Sequence, residues 1–275
     1  MAINYIPRDK QNEVGTRPAR FDGKSKVTGQ ALYATDINLP GMLHGRILRS
    51  PHAHAWIRAI DTSKAEALPG VFAIVTANDL PEAEDRSEKL GESTINFKFL
   101  RDNNLASDKA LYVGHAIAAV AASTPNIAEQ ALDLIEVDYE VLPAVVDVRK
   151  AMTAESTVIH EQIRTKTDVD NTVMPAVDDM RKGWTAGAAI LDERRDRPSN
   201  VASHFRHLKG DPEKGFAEAD VIIEREFHTV SVHQGYLEPH AATATWGADG
   251  ILTIYASTQG TFAAREQIAT LLQYP

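Results

Sequence analysis

The sequence of 275 residues contains no cysteine. That excludes thiolate catalysis, cysteine-ligated zinc and an iron–sulfur cluster held by this chain, and it fits a cytoplasmic protein without disulfides. Positive charge is not in surplus. The net charge is -9, which argues against a nucleic-acid-binding face. No apolar run approaches the length of a membrane span. The start, Met1-Ala2-Ile3-Asn4-Tyr5-Ile6, lacks the basic region and apolar core of a signal peptide. There is no Gly-x-Ser-x-Gly elbow, no Gly-x-Gly-x-x-Gly and no phosphate-binding loop with its Lys. These absences remove the serine-hydrolase and common nucleotide-enzyme readings. What is present is ordinary for a globular chain, with 43% hydrophobic and 24% charged residues. The length suffices for two domains with sizeable cores.

The pattern along the chain predicts an α+β architecture. Residues 1–19 are polar and aperiodic, an N-terminal arm. Strands are expected over Leu43–Ser50, Ala55–Ile60 and Val71–Thr76, with a short helix from Asp61 to Leu68 stopped by Pro69-Gly70. The charged stretch Glu82–Lys109 reads as an irregular surface loop with short pieces of structure. A strand-helix-strand unit follows. Ala116–Ala122 is apolar throughout, as suits a strand buried on both faces. Thr124 and Pro125 start a helix, and alternation over Ile135–Val141 marks a half-exposed strand. Residues 20–147 therefore form one domain with a mixed sheet, and 148–199, with the charged cluster 192–197, reads as a linker. A second region spans 200–275. There Asp211-Pro212 starts a short helix, and Val221–Phe227 alternates like a strand. Ala241–Trp246 and Ile251–Ala256 form a hairpin turning at Asp249-Gly250. Leu252–Pro275 then reads as strand, polar loop and amphipathic helix, an arrangement that aims a loop and free N–H groups at a ligand. It looks like half of a cofactor site whose other half lies elsewhere.

Few residues suggest chemistry directly. His52 and His54, two apart, could pair on one strand face around a metal, although the adjacent Pro51 suggests a turn. His228, His233, Glu238 and His240 are close in sequence, but their spacing matches no helix period and no zinc pattern. Gln259, in the loop Ser257-Thr258-Gln259-Gly260, is the best single candidate. Its amide offers two donors and one acceptor without charge, so it can bond an oxo group or a carbonyl. A helix-capping role is the alternative.

At this point a resemblance emerges over about Arg17–Pro275. The stretches that carry it are Asp22-Gly23-Lys24 with Lys26-Val27-Thr28-Gly29, Arg49-Ser50-Pro51-His52-Ala53-His54-Ala55, Pro69-Gly70-Val71, Val113 through Val120, and Val137 through Pro143. Further on come Gly210-Asp211, Ala217-Glu218-Ala219-Asp220, Leu237-Glu238-Pro239-His240-Ala241 and Ser257-Thr258-Gln259. Together they resemble the N-terminal portion of the molybdenum-binding subunit of the xanthine dehydrogenase and aldehyde oxidase family, the molybdenum hydroxylases. The resemblance implies an a/b hammerhead domain followed by the first part of the molybdopterin-binding domain.

The resemblance implies an oxidoreductase. In the family, an N-heterocycle, an aldehyde or a related aromatic is hydroxylated with oxygen from water, and electrons leave through [2Fe-2S] clusters to FAD. The implied cofactor is molybdenum-molybdopterin, expected in its cytosine dinucleotide form. In such enzymes the Gln of the Ser-Thr-Gln segment approaches the apical oxo ligand, and Gln259 falls on that position. No catalytic or metal-ligating residue is assigned to this chain. The family's Gly-rich segment and general-base Glu are not in the sequence. Either a complementary polypeptide carries both or this chain is a piece of a longer one; the expected partners are that polypeptide, an iron–sulfur subunit and an FAD subunit, with the isolated chain inactive. A small molecule is the expected substrate, and neither nucleic acid nor a membrane span is expected. The compartment implied is cytoplasmic, with export on a partner's signal as the other route. A non-catalytic assembly subunit is the competing reading.

Overall fold

A computed structural model describes residues 17, 19–90, 93–161, 185–186, 198–202, 207–208 and 210–274. The described residues group into two compact units. One is formed by the residues up to Pro40 with Ser231–Gln259, the other by Gly41–Val230 with Gly260–Pro275. The expected arm lies outside the described residues apart from 17 and 19, as do most of the linker and its charged cluster 192–197.

In the second unit, strands β1 (His44–Arg49), β2 (Ala55–Asp61) and β3 (Val71–Thr76) lie where the pattern put them. Helix α2 is short, Ser63–Glu66, and the Asp61 carboxylate accepts a hydrogen bond from Ser63 N at 2.9 Å. (Helix α1, Gly23–Val27, belongs to the first unit.) Next come β4 (Ser87–Leu90), β5 (Ser93–Asn96), α3 (Phe97–Asn104), β6 (Lys109–Ala110), β7 (Ala116–Ala122), α4 (Pro125–Asp133), β8 (Glu136–Val141) and α5 (Val148–Ala151). Thr124 Oγ1 accepts from Ile127 N at 3.2 Å, and Pro125 occupies the first turn of α4, where its missing N–H costs nothing.

The strands form two three-stranded sheets, β1-β7-β3 and β6-β2-β8. Every pairing among the described residues is antiparallel, so the sheet expected to be mixed contains no parallel pair there. The β7-α4-β8 unit links one sheet to the other. On β7, Ala118 and Val120 pack with Ala65 of α2, Ala131 of α4 and Ile135, while Ile117 packs with Ala106 and Ala110. Alanines on a central strand leave room for a helix and a second sheet to approach closely, and such contact at near-crystal density is what makes the core cohesive.

Two expectations are corrected. The stretch Glu82–Lys109, expected as an irregular loop with short pieces of structure, holds more regular structure than that, with β4 pairing β5 and the eight-residue helix α3. Asn96 caps α3 by accepting from Phe99 N at 3.0 Å. Arg101, 7% exposed, donates from Nη2 to Ala77 O at 2.8 Å and from Nε to Pro81 O at 2.9 Å. The charge that suggested solvent is thus turned inward to bind the carbonyls of the turn that follows β3. Conversely, Val221–Phe227 alternates like a strand yet pairs with nothing among the described residues.

The remaining elements are the two-residue pair β9 (Thr185–Ala186) and β10 (His207–Leu208), helix α6 (Pro212–Glu218), the hairpin β11 (Ala242–Trp246) and β12 (Leu252–Ala256), and helix α7 (Thr261–Leu272). Asp211 caps α6 by accepting from Lys214 N at 3.0 Å. The hairpin register runs from Ala242 opposite Ala256 to Trp246 opposite Leu252. Gly250 takes φ 80°, the left-handed conformation its turn demands. No helix among the described residues is long and apolar enough to cross a membrane. The buried residues run from Ser50 to Ile135, and none of the described residues beyond Ile135 is buried.

Three outcomes follow. Arg101→Leu leaves the Ala77 and Pro81 carbonyls unpaired in the interior and should cost about 2–4 kcal/mol in urea unfolding. Gly70→Ala should cost roughly 1–3 kcal/mol, because φ is +96° and the added methyl meets Ile127 Cδ1 and Ser123 Oγ at 2.8 Å. The third concerns His115, fully buried. Its Nε2 donates to Asp102 O at 2.9 Å and its Nδ1 accepts from Leu111 N at 3.2 Å. Burial holds it below the ordinary histidine value of 6.5, against the opposing pull of the Asp102 and Asn103 carbonyls. The unfolded chain therefore binds the proton first, so His115 adds stability above about pH 6.5 that is lost as pH falls below it. Chemical unfolding at pH 7 and pH 5 should show the lower stability at pH 5, with a smaller difference in His115→Gln.

Candidate functional site

Gln259 follows β12 in the first unit, one residue before the Gly260 that caps α7. Its backbone sits in a bend and its side chain is exposed. The amide makes no hydrogen bond within the described residues. The loop that carries it is tied down immediately upstream. Ser257 N donates to Ala241 O at 3.3 Å, and Ser257 Oγ donates to Pro239 O at 3.3 Å. These bonds tether the Ser-Thr-Gln loop to the turn Leu237–Ala241, so the two matching stretches meet in space. The spacing of Ser257 gave no hint of this. The signal was its place in a quoted match, which names a residue type but not its bond.

The donor set suits an uncharged oxygen-bearing group. An amide that is exposed, neutral and unengaged presents two N–H donors without introducing charge. In the segment to which the loop is tethered, Tyr236 stacks on His240 with ring centroids 4.8 Å apart and lies 4.9 Å from His233. All three rings are exposed. His233 Nδ1 accepts from Gly235 N at 3.2 Å.

The two histidine groupings considered for a metal do not assemble among the described residues. His54 is 3% exposed and its Nδ1 donates to Pro143 O at 3.0 Å, because a carbonyl can only accept. His52 packs edge-on against Tyr139 at 5.0 Å. The pair serves the join between β2 and the end of β8. His228 contacts Arg149 and Glu226 in the second unit, whereas His233, Glu238 and His240 belong to the first. Among the described residues no three His, Asp or Glu side chains are grouped to hold a metal ion.

The second unit contains a cleft of about 800 Å³ that includes Trp56, Phe99, Asp102, Lys109, His160 and Glu161. Its charges are mutually engaged. Lys109 Nζ donates to Glu161 Oε1 at 2.5 Å and lies 4.8 Å from the Trp56 ring. Burial, and then Lys109, hold His160 below its ordinary range. The cleft thus holds a closed Lys109–Glu161 ion pair beside His160.

Comparison with known proteins gives this geometry its setting. Residues 28–143 match the model described as "Aldehyde oxidase and xanthine dehydrogenase, a/b hammerhead domain", and residues 193–275 match "Molybdopterin cofactor-binding domain". The chain is 31% identical over 261 residues to a probable xanthine dehydrogenase subunit from Bacillus subtilis, covering 94% of this chain and 29% of that protein. It is 33% identical over 266 residues to a "Probable hypoxanthine oxidase" of Escherichia coli K12, covering 96% and 27%. Among solved structures, carbon monoxide dehydrogenase of Oligotropha carboxidovorans superposes with TM-score 0.66 at 29% identity, over 95% of this chain and 29% of that one. Quinoline 2-oxidoreductase of Pseudomonas putida 86 gives 0.65 at 26%, again over 95% and 29%. The chain therefore spans less than a third of these relatives. Two family models in the expected order, and a fold shared across nearly the whole chain, make it a member of the xanthine dehydrogenase and aldehyde oxidase family of molybdenum hydroxylases, matching the N-terminal portion of the molybdenum-binding subunit.

Proposed function

We propose that this chain is part of the catalytic subunit of a molybdenum hydroxylase that oxidises an N-heterocycle, an aldehyde or a related aromatic with water-derived oxygen. The observation that carries the reading is the free, exposed amide of Gln259 on a tethered loop, within the region that matches the molybdopterin-binding model. When bound, the molybdenum cofactor, taken here in its cytosine dinucleotide form, supplies the two-electron oxidation. Gln259 would help hold that group by donating an N–H to one of its oxygens. An amide does not titrate in the useful range, so it orients and polarises and moves no proton. Ser257 keeps the loop against Leu237–Ala241 and so limits where that amide can point.

A proton acceptor and a Gly-rich contact must come from polypeptide beyond the matched region. The absence of buried residues after Ile135 among the described residues supports a region completed by further polypeptide. In this reading 20–147 is the hammerhead domain, 148–199 the linker and 200–275 the start of the cofactor domain. The partners are a polypeptide segment carrying the Gly-rich stretch and the Glu, an iron–sulfur subunit and an FAD subunit, in the cytoplasm or exported with a partner.

In the assembled enzyme, Gln259→Ala should lower turnover or molybdenum content by roughly 10–100-fold, while Gln259→Glu, which adds charge and removes the donors, should be at least as impaired. Metal analysis and steady-state kinetics read both. Unchanged turnover with full molybdenum content in Gln259→Ala removes the role, and an assembled complex that never holds molybdenum favours a scaffolding subunit.

A further inference from the structure

The cleft of about 800 Å³ in the second unit has no part in the function proposed above. It is lined by Trp56 and Lys109, which stand opposite each other on β2 and β6, by Phe99 of α3, and by the segment 159–161. Asn200 fixes that segment. Its Oδ1 accepts from Ile159 N at 2.9 Å and its Nδ2 donates to Thr157 O at 2.8 Å. The rings of Phe99 and His160 meet edge-on, with centroids 5.8 Å apart. Small-molecule sites typically occupy about 300–1,000 Å³ and are lined by aromatic side chains with a few polar groups.

The charges of the cleft favour an uncharged occupant. Lys109 is closed onto Glu161 at 2.5 Å and Lys98 onto Asp102 at 2.8 Å. The remaining carboxylate, Asp108, is exposed. A charged ligand would give up its water here without a buried counter-ion of its own. His160 is the polar group left over. Burial, and then Lys109, hold it below its ordinary range. Near neutral pH it is therefore uncharged, with one ring nitrogen donating and the other accepting. Neither nitrogen bonds a partner among the described residues.

We infer that the cleft is a binding site for a small, uncharged, planar heteroaromatic that carries an N–H next to a carbonyl. Such a ligand sets its ring against Trp56 and Phe99. It meets His160 in either tautomer, because it can donate its N–H to the accepting nitrogen or receive the imidazole N–H at its carbonyl. An aliphatic ligand of equal size forgoes the ring contacts, and an aromatic hydrocarbon leaves the imidazole unpaired. Neither Gln259 nor the molybdenum cofactor takes part, so the site stands or falls apart from the catalytic reading.

The probe is 2-pyridone, titrated near neutral pH into the isotope-labelled 275-residue chain, with benzoate and benzylammonium as charged probes of like size. Nuclear magnetic resonance follows the Trp56 indole N–H and the His160 ring. Both should shift and saturate with one midpoint, while the indole of Trp246, in the first unit, stays in place. Benzoate and benzylammonium should bind at least about tenfold more weakly. His160→Phe keeps a ring and removes both nitrogens, and should weaken 2-pyridone about tenfold, with the circular dichroism of the chain unchanged. The probe series on the unaltered chain decides the matter even where His160→Phe does not fold. No saturation by 2-pyridone, a Trp246 signal that moves in step, charged probes that bind as well, or a folded His160→Phe chain of unchanged affinity overturns the inference.

Discussion

Strand β7 is the constraint on which the folded part of the chain depends. It sits between β1 and β3 and buries side chains on both faces, using five alanines, one isoleucine and one valine. Alanine is a poor strand former by propensity, so its use here reflects space. Large side chains on both faces would push away α4 on one side or the second sheet on the other. Leu48, Ile60 and Val137 contribute to both the Ala118–Val120 cluster and the Ile117 cluster, so the two sheets and the helices share one continuous interior. Arg101 and His115 extend it with buried polar groups that bond to backbone carbonyls or an amide instead of to water.

Beyond Ile135 the physics changes. The hairpin β11-β12 has correct register and turn chemistry, and α6 and α7 have ordinary ends, yet their side chains remain partly or wholly exposed. Local rules suffice to draw these elements without a buried interior among the residues whose burial is described. Gln259 belongs to this region, and its exposed amide has no hydrogen bond among the described residues.

What was legible in the sequence follows the same line. Thr124-Pro125, Asp211-Pro212 and Asp249-Gly250 act through bonds to residues a few positions away, and each produced its element. Pro69-Gly70 also marked the end of its helix, although Gly70 O is engaged from afar, accepting from Ser123 N at 2.8 Å. The extent of α3 within 82–109 was underread because it carries a buried guanidinium whose acceptors lie twenty or more positions away, a relation no local pattern encodes. The strand at 221–227 was overread for the converse reason, since alternation records fitness for a sheet and not the presence of a neighbour. For Gln259, spacing gave a neutral amide on a loop. Its chemical meaning came only from resemblance.

Among the residues whose burial is described, the buried ones run from Ser50 to Ile135. An interior drawn from one span of sequence can close while later residues are still emerging from the ribosome. Synthesis from the amino end then delivers a solid interior first, and the hairpin β11-β12 and helix α7 follow it.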